Sequence, residues 1–325
     1  MGSYILYLVS RLALGSVRHM RRSHAIRLLD FLATLTFRLD PTHRHNARVN
    51  LTIAFPELSG REHEEIARQS FQSSARNFLE VSRMPGLTSE NIASLVRYDP
   101  EFGLRNYETA RSRGKGILYL TGHFSAWELL PKAHALYGYP LSFVTRPLDN
   151  APLERYLFSV RQTAGNRVIY KRNSARQILE VLKTAGAVGI LMDQNTSLQE
   201  GIFVDFFGLP AATSTSIALL ALRTEAPVLP GYLAPESGGR YTVKFLPPVD
   251  LSRTGDTARD IAFNTRRLNA ILEGIIRDQP GTWLWGHRRW KNQPAGCPDL
   301  YGLSELELRA YLKKAWAASR DVVQP

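Results

Sequence analysis

The sequence predicts an α/β protein with a mainly parallel central sheet flanked by helices, preceded by an N-terminal helical extension. Three observations carry this. From Gly116 onward, apolar runs of four to seven residues alternate with amphipathic helical stretches, the pattern of a parallel sheet covered on both faces. Before residue 85 the apolar residues recur at helical spacing only. No internal repeat or low-complexity linker divides the chain.

The elements follow in order. Residues 3–17 are apolar but broken by Arg11, whereas a spanning helix wants about 20 apolar residues. A secretory signal carries its charge before the apolar core, and here Arg18, Arg21 and Arg22 come after it. The segment is expected to be a short membrane anchor or an interfacial helix, its arginine flank held in the cytoplasm. A buried helix packed on the main domain is the structural alternative. In residues 25–39, Ile26, Leu29, Leu32, Ala33 and Thr36 share a helical stripe, with Arg27 and Asp30 off it; Pro41 ends the segment. Residues 44–55 follow, and Ser59 is the expected N-cap of a helix reaching Arg83. Residues 1–85 therefore read as a helical, membrane-associating region and 86–325 as a single α/β domain. Strands are expected over 117–120, 141–145, 167–170, 188–192, 228–233 and 241–245. Helices are expected over 127–136, 153–164, 175–184, 214–224 and 257–276. Gly238-Gly239 marks a hairpin turn, which makes the last strands antiparallel.

Charge narrows the partner. The 325 residues hold 41 Lys and Arg against 29 Asp and Glu, a net charge of +12. Residues 1–50 contain eight Arg and two Asp, half of that excess. Such a surface favours an anionic membrane, nucleic acid, or an acidic protein or substrate. No nucleic-acid motif is visible and the basic residues stand beside apolar segments, which favours the membrane. Cys297 is the only cysteine, so an intrachain disulfide and a multi-cysteine metal site are excluded. There is no Gly-x-Ser-x-Gly elbow, P-loop, Gly-x-Gly-x-x-Gly or His-Glu-x-x-His.

The stretch Thr121-Gly-His-Phe-Ser-Ala-Trp-Glu128 carries chemistry. His123 stands just past a strand and Glu128 in the first turn of the next helix. In parallel α/β sheets, sites form at the carboxyl ends of strands. Five helical residues would set the two side chains about 140° apart, so they meet only if His123 precedes the helix. His123 could then take a proton from a hydroxyl while Glu128 fixes its tautomer. Ser125 is expected to cap the helix. The structural alternative is a histidine capping the sheet and a surface glutamate.

These residues, with several ordered blocks, resemble the lipid A late acyltransferases (lauroyl/myristoyl transferases) of Gram-negative bacteria, within the wider glycerol-3-phosphate acyltransferase-like superfamily. The likeness runs from about Tyr4 to Lys291. It rests on Arg48-Val-Asn-Leu-Thr-Ile-Ala-Phe-Pro-Glu57, on the H-x4-E motif of His123 and Glu128, and on Ser142-Phe-Val-Thr-Arg-Pro-Leu-Asp-Asn150. It continues through Asp193-Gln194, Phe203-Val-Asp-Phe-Phe-Gly-Leu-Pro-Ala-Ala-Thr-Ser-Thr215, Ala226-Pro-Val-Leu-Pro230 and Trp283-Leu-Trp-Gly-His-Arg-Arg-Trp-Lys291. The glycerophospholipid branch carries Phe-Pro-Glu-Gly where this chain reads Phe203-Val-Asp-Phe-Phe-Gly208, which favours the lipid A branch.

The resemblance implies a membrane-associated O-acyltransferase on the cytoplasmic face of the bacterial inner membrane, with no cofactor beyond an acyl thioester co-substrate. The donor is acyl carrier protein or coenzyme A, and the acceptor a phosphorylated glycolipid. His123 would be the general base, with Glu128 orienting it and the acceptor hydroxyl attacking directly. Arg161 would hold an acceptor phosphate or the thioester oxygen, and Asp193 matches a functionally important position. Arg146 would bind phosphate or pair with Asp149 or Glu154; His287, Arg288 and Arg289 would bind acceptor phosphates or form a salt-bridged cap. Phe203, Phe206 and Phe207 would fill core or wall an acyl channel, and Trp283, Trp285 and Trp290 would pack or sit at the membrane interface. Another lipid acceptor (a glycolipid, an ornithine-type lipid or a lysophospholipid) and a non-catalytic membrane-binding relative are the competing readings.

Overall fold

The computed structural model describes residues 2–172 and 174–321. Four helices open the chain: α1 (Gly2–His19), α2 (Arg22–Leu39), α3 (Pro41–Ala54) and α4 (Gly60–Arg83). Pro41 ends α2 by starting α3, where its missing N–H costs nothing, and the Asp40 side chain accepts the His43 N–H at 3.0 Å. Ser59 and Glu62 close a reciprocal capping box at the start of α4: Ser59 N–H donates to the Glu62 carboxylate at 2.7 Å, and Glu62 N–H to Ser59 Oγ at 3.3 Å.

The buried stripe of α2 is rotated from the expected one. Ala25, Leu29, Ala33 and Phe37, a strict every-fourth row, are buried. Leu28, Phe31, Leu32, Leu35 and Leu39 are exposed, and so is Thr36. On α1, only Leu14 and Val17 are buried among the described side chains, while Tyr4, Ile5, Leu6, Leu8, Val9 and Leu12 face outward. Among the described residues no helix is long and apolar enough to cross a membrane.

The rest of the chain alternates: β1 (Val96–Tyr98), α5 (Leu104–Arg111), β2 (Ile117–Thr121), α6 (Leu129–Leu136), β3 (Ser142–Thr145), α7 (Ala151–Arg161), β4 (Arg167–Tyr170), α8 (Ser174–Lys183) and β5 (Ala187–Leu191). Then come β6 (Gly201–Phe206), β7 (Leu209–Ser214), α9 (Ser216–Thr224), β8 (Val228–Pro235), β9 (Tyr241–Phe245), α10 (Thr257–Asp278) and α11 (Glu305–Asp321). Seven strands form one sheet in the order β1-β9-β8-β2-β5-β3-β4. Every pairing is parallel except β8 with β9. The turn between those two uses Gly238 and Gly239 at φ 71° and 73°, which glycine adopts without a Cβ clash. Ile117, Leu118, Tyr119 and Leu120 of β2 are all buried, the continuous apolar run of a strand covered on both faces. All six expected strands are present. β1, α5, the separate β6–β7 hairpin and α11 come in addition.

The described residues pack as two compact units. One comprises those of 1–32, 73–191 and 220–250, with the seven-stranded sheet; the other comprises those of 33–72, 192–219 and 251–325, with the β6–β7 hairpin. The first unit's core contains His134 of α6, enclosed by the rings of Tyr107, Tyr139 and Phe245. Tyr98 Oη lies 2.6 Å from its Nδ1 and Tyr119 Oη 2.7 Å from its Nε2. A neutral imidazole has one donor and one acceptor nitrogen, so one hydroxyl accepts and the other donates. Burial pushes the His134 pKa down to about 3.

Candidate active site

β2 lies inside the sheet between β5 and β8, and at its carboxyl end the chain makes a tight turn. Phe124 N–H donates to the Gly122 carbonyl at 2.8 Å, and Leu129 N–H to the Ala126 carbonyl at 2.9 Å. Phe124, Ser125 and Ala126 are buried and anchor the turn; His123, Trp127 and Glu128 emerge part-buried on either side. Ser125 does not cap the helix. It holds φ at 51°, a left-handed conformation costing roughly 1–3 kcal/mol in a non-glycine residue. α6 starts at Leu129, and Glu128 occupies the N-cap position with its side chain turned to another use. The His123 ring packs near edge-on to Trp127, centroids 5.2 Å apart. The Glu128 N–H donates to the buried Asn77 side chain of α4 at 3.1 Å.

Arg161, the last residue of α7, grips the Glu128 carboxylate bidentately: Nε donates to Oε2 at 2.9 Å and Nη2 to Oε1. The two side chains are only 11% and 16% exposed. Burial works against the guanidinium charge, but the Glu128 carboxylate outweighs it and raises the Arg161 pKa above its ordinary value. The enclosed Nη1 has no hydrogen-bond partner among the described residues. Arg161, expected on the substrate from the resemblance, is therefore first of all the partner of Glu128. Glu154, one face of α7 further toward its start, is buried and accepts the Leu148 N–H at 2.8 Å and the Tyr170 hydroxyl at 3.0 Å. This fixes the β3–α7 loop that carries Arg146. Arg146 stands past the end of β3, two strands from β2, or about 10 Å at ordinary strand spacing. Its guanidinium is 79% exposed and pairs with the 93% exposed Asp149 at 3.2 Å.

The other four expected site residues belong to the second unit. Asp193 is buried and accepts the Trp283 Nε1–H at 2.7 Å. Asn195 N–H donates to His287 Nε2 at 3.1 Å, so the neutral ring carries its proton on Nδ1. Asn292 also binds this segment, through Asn195 Oδ1 and the Thr196 carbonyl, which joins 193–196 to 283–292. Arg288 reaches Asp299 at 2.9 Å and lies over the Tyr301 ring. Arg289 is fully enclosed; it donates to the Ala212 carbonyl at 2.8 Å and Thr213 Oγ1 at 2.6 Å, over the Phe206 ring. Burial pushes its pKa down to about 10. A phosphate has no access to it, which corrects the expectation for this residue. Trp283, Trp285 and Trp290 are 1%, 0% and 0% exposed, so packing, not a membrane interface, takes all three. Phe206 and Phe207 are buried against one another in the same aromatic core.

Sequence reasoning missed Asn50, which ties two of its blocks together. Its amide donates to the carbonyls of Trp285 at 2.6 Å and His287 at 2.7 Å, and its Oδ1 accepts from the Tyr301 hydroxyl. The signal was present: an asparagine inside an apolar helical block. Asn77 left no such signal.

The model of the family "Bacterial lipid A biosynthesis acyltransferase" matches residues 2–292. The chain is 26% identical over 254 residues to the lipid A biosynthesis lauroyltransferase of Escherichia coli (strain K12), covering 78% of this chain and 80% of that one. It is 28% identical over 258 residues to the palmitoleoyltransferase of the same organism, covering 78% and 81%. To the myristoyltransferase it is 25% identical over 282 residues, covering 86% and 84%. With its mainly parallel sheet and a family match over most of its length, the chain belongs to the bacterial lipid A biosynthesis acyltransferases.

Proposed function

We propose that this acyltransferase moves a fatty acyl chain from a thioester, with acyl carrier protein favoured over coenzyme A, to a hydroxyl of a lipid A precursor. The observation that carries the reading is the turn after β2, where His123 stands at the carboxyl end of an interior strand and Glu128, five residues on, is locked by Arg161. His123 takes the acceptor hydroxyl's proton, and the oxygen attacks the thioester carbonyl carbon. The tetrahedral intermediate collapses, the C–S bond breaks, and the imidazolium returns the proton to the leaving thiolate. The new ester leaves with the acceptor and no acyl-enzyme forms. Glu128 steadies the imidazolium, and Arg161 holds the Glu128 carboxylate in place. Arg146 meets an acceptor phosphate. The outward apolar residues of α1 and α2, with Arg18 and Arg21 beside them, rest on the cytoplasmic face of the bacterial inner membrane.

Mass spectrometry tests this. Purified protein is incubated with acyl carrier protein thioesters and a Kdo-bearing tetra-acylated precursor. The expected result is a gain of one acyl chain, absent in His123→Ala. Thioester turnover with other membrane lipids but not this one would move the acceptor; no turnover with any lipid would overturn the enzyme reading for this site.

A further inference from the structure

Arg11 interrupts the apolar run of α1, and nothing in the proposed reaction requires it. A charge in the middle of a lipid-facing helix is costly unless it has a partner. Its partner is on α7: the guanidinium lies 3.9 Å from the centroid of the Tyr156 ring. Arg11 is exposed and stands one turn before Leu14, which with Val17 is buried among the described side chains of α1. Tyr156 in turn packs against the core that lies under the sheet, with Val160 one turn further along α7 buried in it. Arg161 comes next, about 7.5 Å along the axis from Tyr156, and holds Glu128. The first turn of α7 holds the Arg146 loop through Glu154. One rigid helix thus carries the contact to α1, the Arg146 loop and the partner of Glu128.

We infer that Arg11 and Tyr156 are positioning residues: their stacking carries the orientation of the lipid-docked α1 to α7, so that transfer to an acceptor embedded in a lipid surface depends on this pair and not on surface binding alone. The inference rests on the membrane-surface reading given above. Because Arg11→Leu enlarges the apolar face, it separates docking from transmission: surface binding is kept or strengthened while the link is cut.

The probe is a vesicle of phosphatidylethanolamine and phosphatidylglycerol carrying the acceptor. Arg11→Leu and Tyr156→Leu are expected to co-sediment with it like the unaltered protein and to keep their KM, with kcat reduced about two- to fivefold, the worth of an exposed cation–π pair. Tyr156→Phe, which keeps the ring, is expected to match the unaltered protein, and the double Leu variant to be no worse than either single one. Additive losses, or kcat unchanged in both Leu variants, overturn the inference. Hydrogen exchange supplies a readout that needs no turnover: vesicle binding is expected to raise protection of the α7 amides in the unaltered protein and not in Arg11→Leu. Equal protection in both overturns the inference even if transfer is confirmed. A protection difference in a protein that transfers no acyl chain leaves the link standing and removes the enzymatic reading.

Discussion

Two short blocks of this chain place a histidine among aromatic residues, and folding treats them in opposite ways. In 121–128 the middle of the block is buried and the ends proposed to carry the reaction emerge: Phe124, Ser125 and Ala126 anchor the turn, while His123 and Glu128 are part-buried. In 283–291 the bulk of the block is core: Trp283, Trp285, Arg289 and Trp290 are among the largest fully buried side chains among the described residues, and only Leu284, His287, Arg288 and Lys291 reach outward. The difference lies in the surroundings. The first block follows an interior strand that ends at the open edge of a parallel sheet, where the chain must turn. The second has its backbone carbonyls taken up by Asn46, Asn50 and Ser70, which turns its three indole rings inward. Side-chain chemistry alone therefore does not separate a site from a scaffold; what bonds the backbone does.

The comparison breaks if the two blocks answer alike to substitution. His123→Ala is expected to lower acyl transfer by about 10²–10⁴, the worth of a positioned general base, with the thermal midpoint unmoved because the ring is only part-buried. Arg289→Ala is expected to do the reverse. It removes a buried cation that satisfies Ala212 and Thr213 and leaves a void beside Phe206, at a cost of roughly 3–5 kcal/mol. Activity per folded molecule should stay close to that of the unaltered protein. Arg289→Met, which fills the space without the charge, should recover part of the loss. Calorimetry alongside single-turnover transfer decides it: a fully stable but inactive Arg289→Ala would return this residue to the substrate.

What could be read before folding follows the same division. Strands 167–170 and 241–245 have the expected bounds because each is a short apolar run closed by turn residues. β1 escaped because three residues are too few for any period to show, and its exposed Arg97 breaks what little there is. The β6–β7 hairpin escaped because 203–215 reads as a motif and its turn, Phe207-Gly208, has a phenylalanine at φ 53° where asparagine or glycine is the usual signal. His123 and Glu128 were legible because they are neighbours in sequence. The Arg161 grip on Glu128 joins residues 33 apart, and only β3 and its crossovers bring α7 to that turn.

His134 sharpens the contrast from within one unit, eleven residues after His123. Its folded pKa is about 3, and its ordinary value is 6.5. Below pH 6.5 the unfolded chain takes up a proton that the folded chain refuses until pH falls to about 3. The stability from this group is therefore whole above pH 6.5 and declines as pH drops through that window, by about 1.4 kcal/mol per pH unit. His134→Gln keeps one donor and one acceptor for the Tyr98 and Tyr119 hydroxyls and cannot be protonated. Urea unfolding at pH 7, 6 and 5 should show a shallower fall for the variant than for the unaltered protein. Parallel falls would mean that the imidazole is protonated inside the fold.

The smallest effect is expected at Arg146, where the exposed pair with Asp149 is worth about 0–1 kcal/mol. Neither Arg146→Ala nor Asp149→Ala should move the unfolding midpoint measurably, so any kinetic change reports on the substrate. If the guanidinium meets an acceptor phosphate, Arg146→Ala raises KM for the phosphorylated acceptor about tenfold, the worth of one charge-assisted hydrogen bond, and leaves kcat alone. Asp149→Ala frees the guanidinium from its competitor and should leave KM unchanged or lower it. Dephosphorylating the acceptor should erase the difference between Arg146→Ala and the unaltered protein. Equal KM values for the three proteins on the phosphorylated acceptor would assign Arg146 to its surface pair, and the phosphate contact would have to come from elsewhere on the molecule.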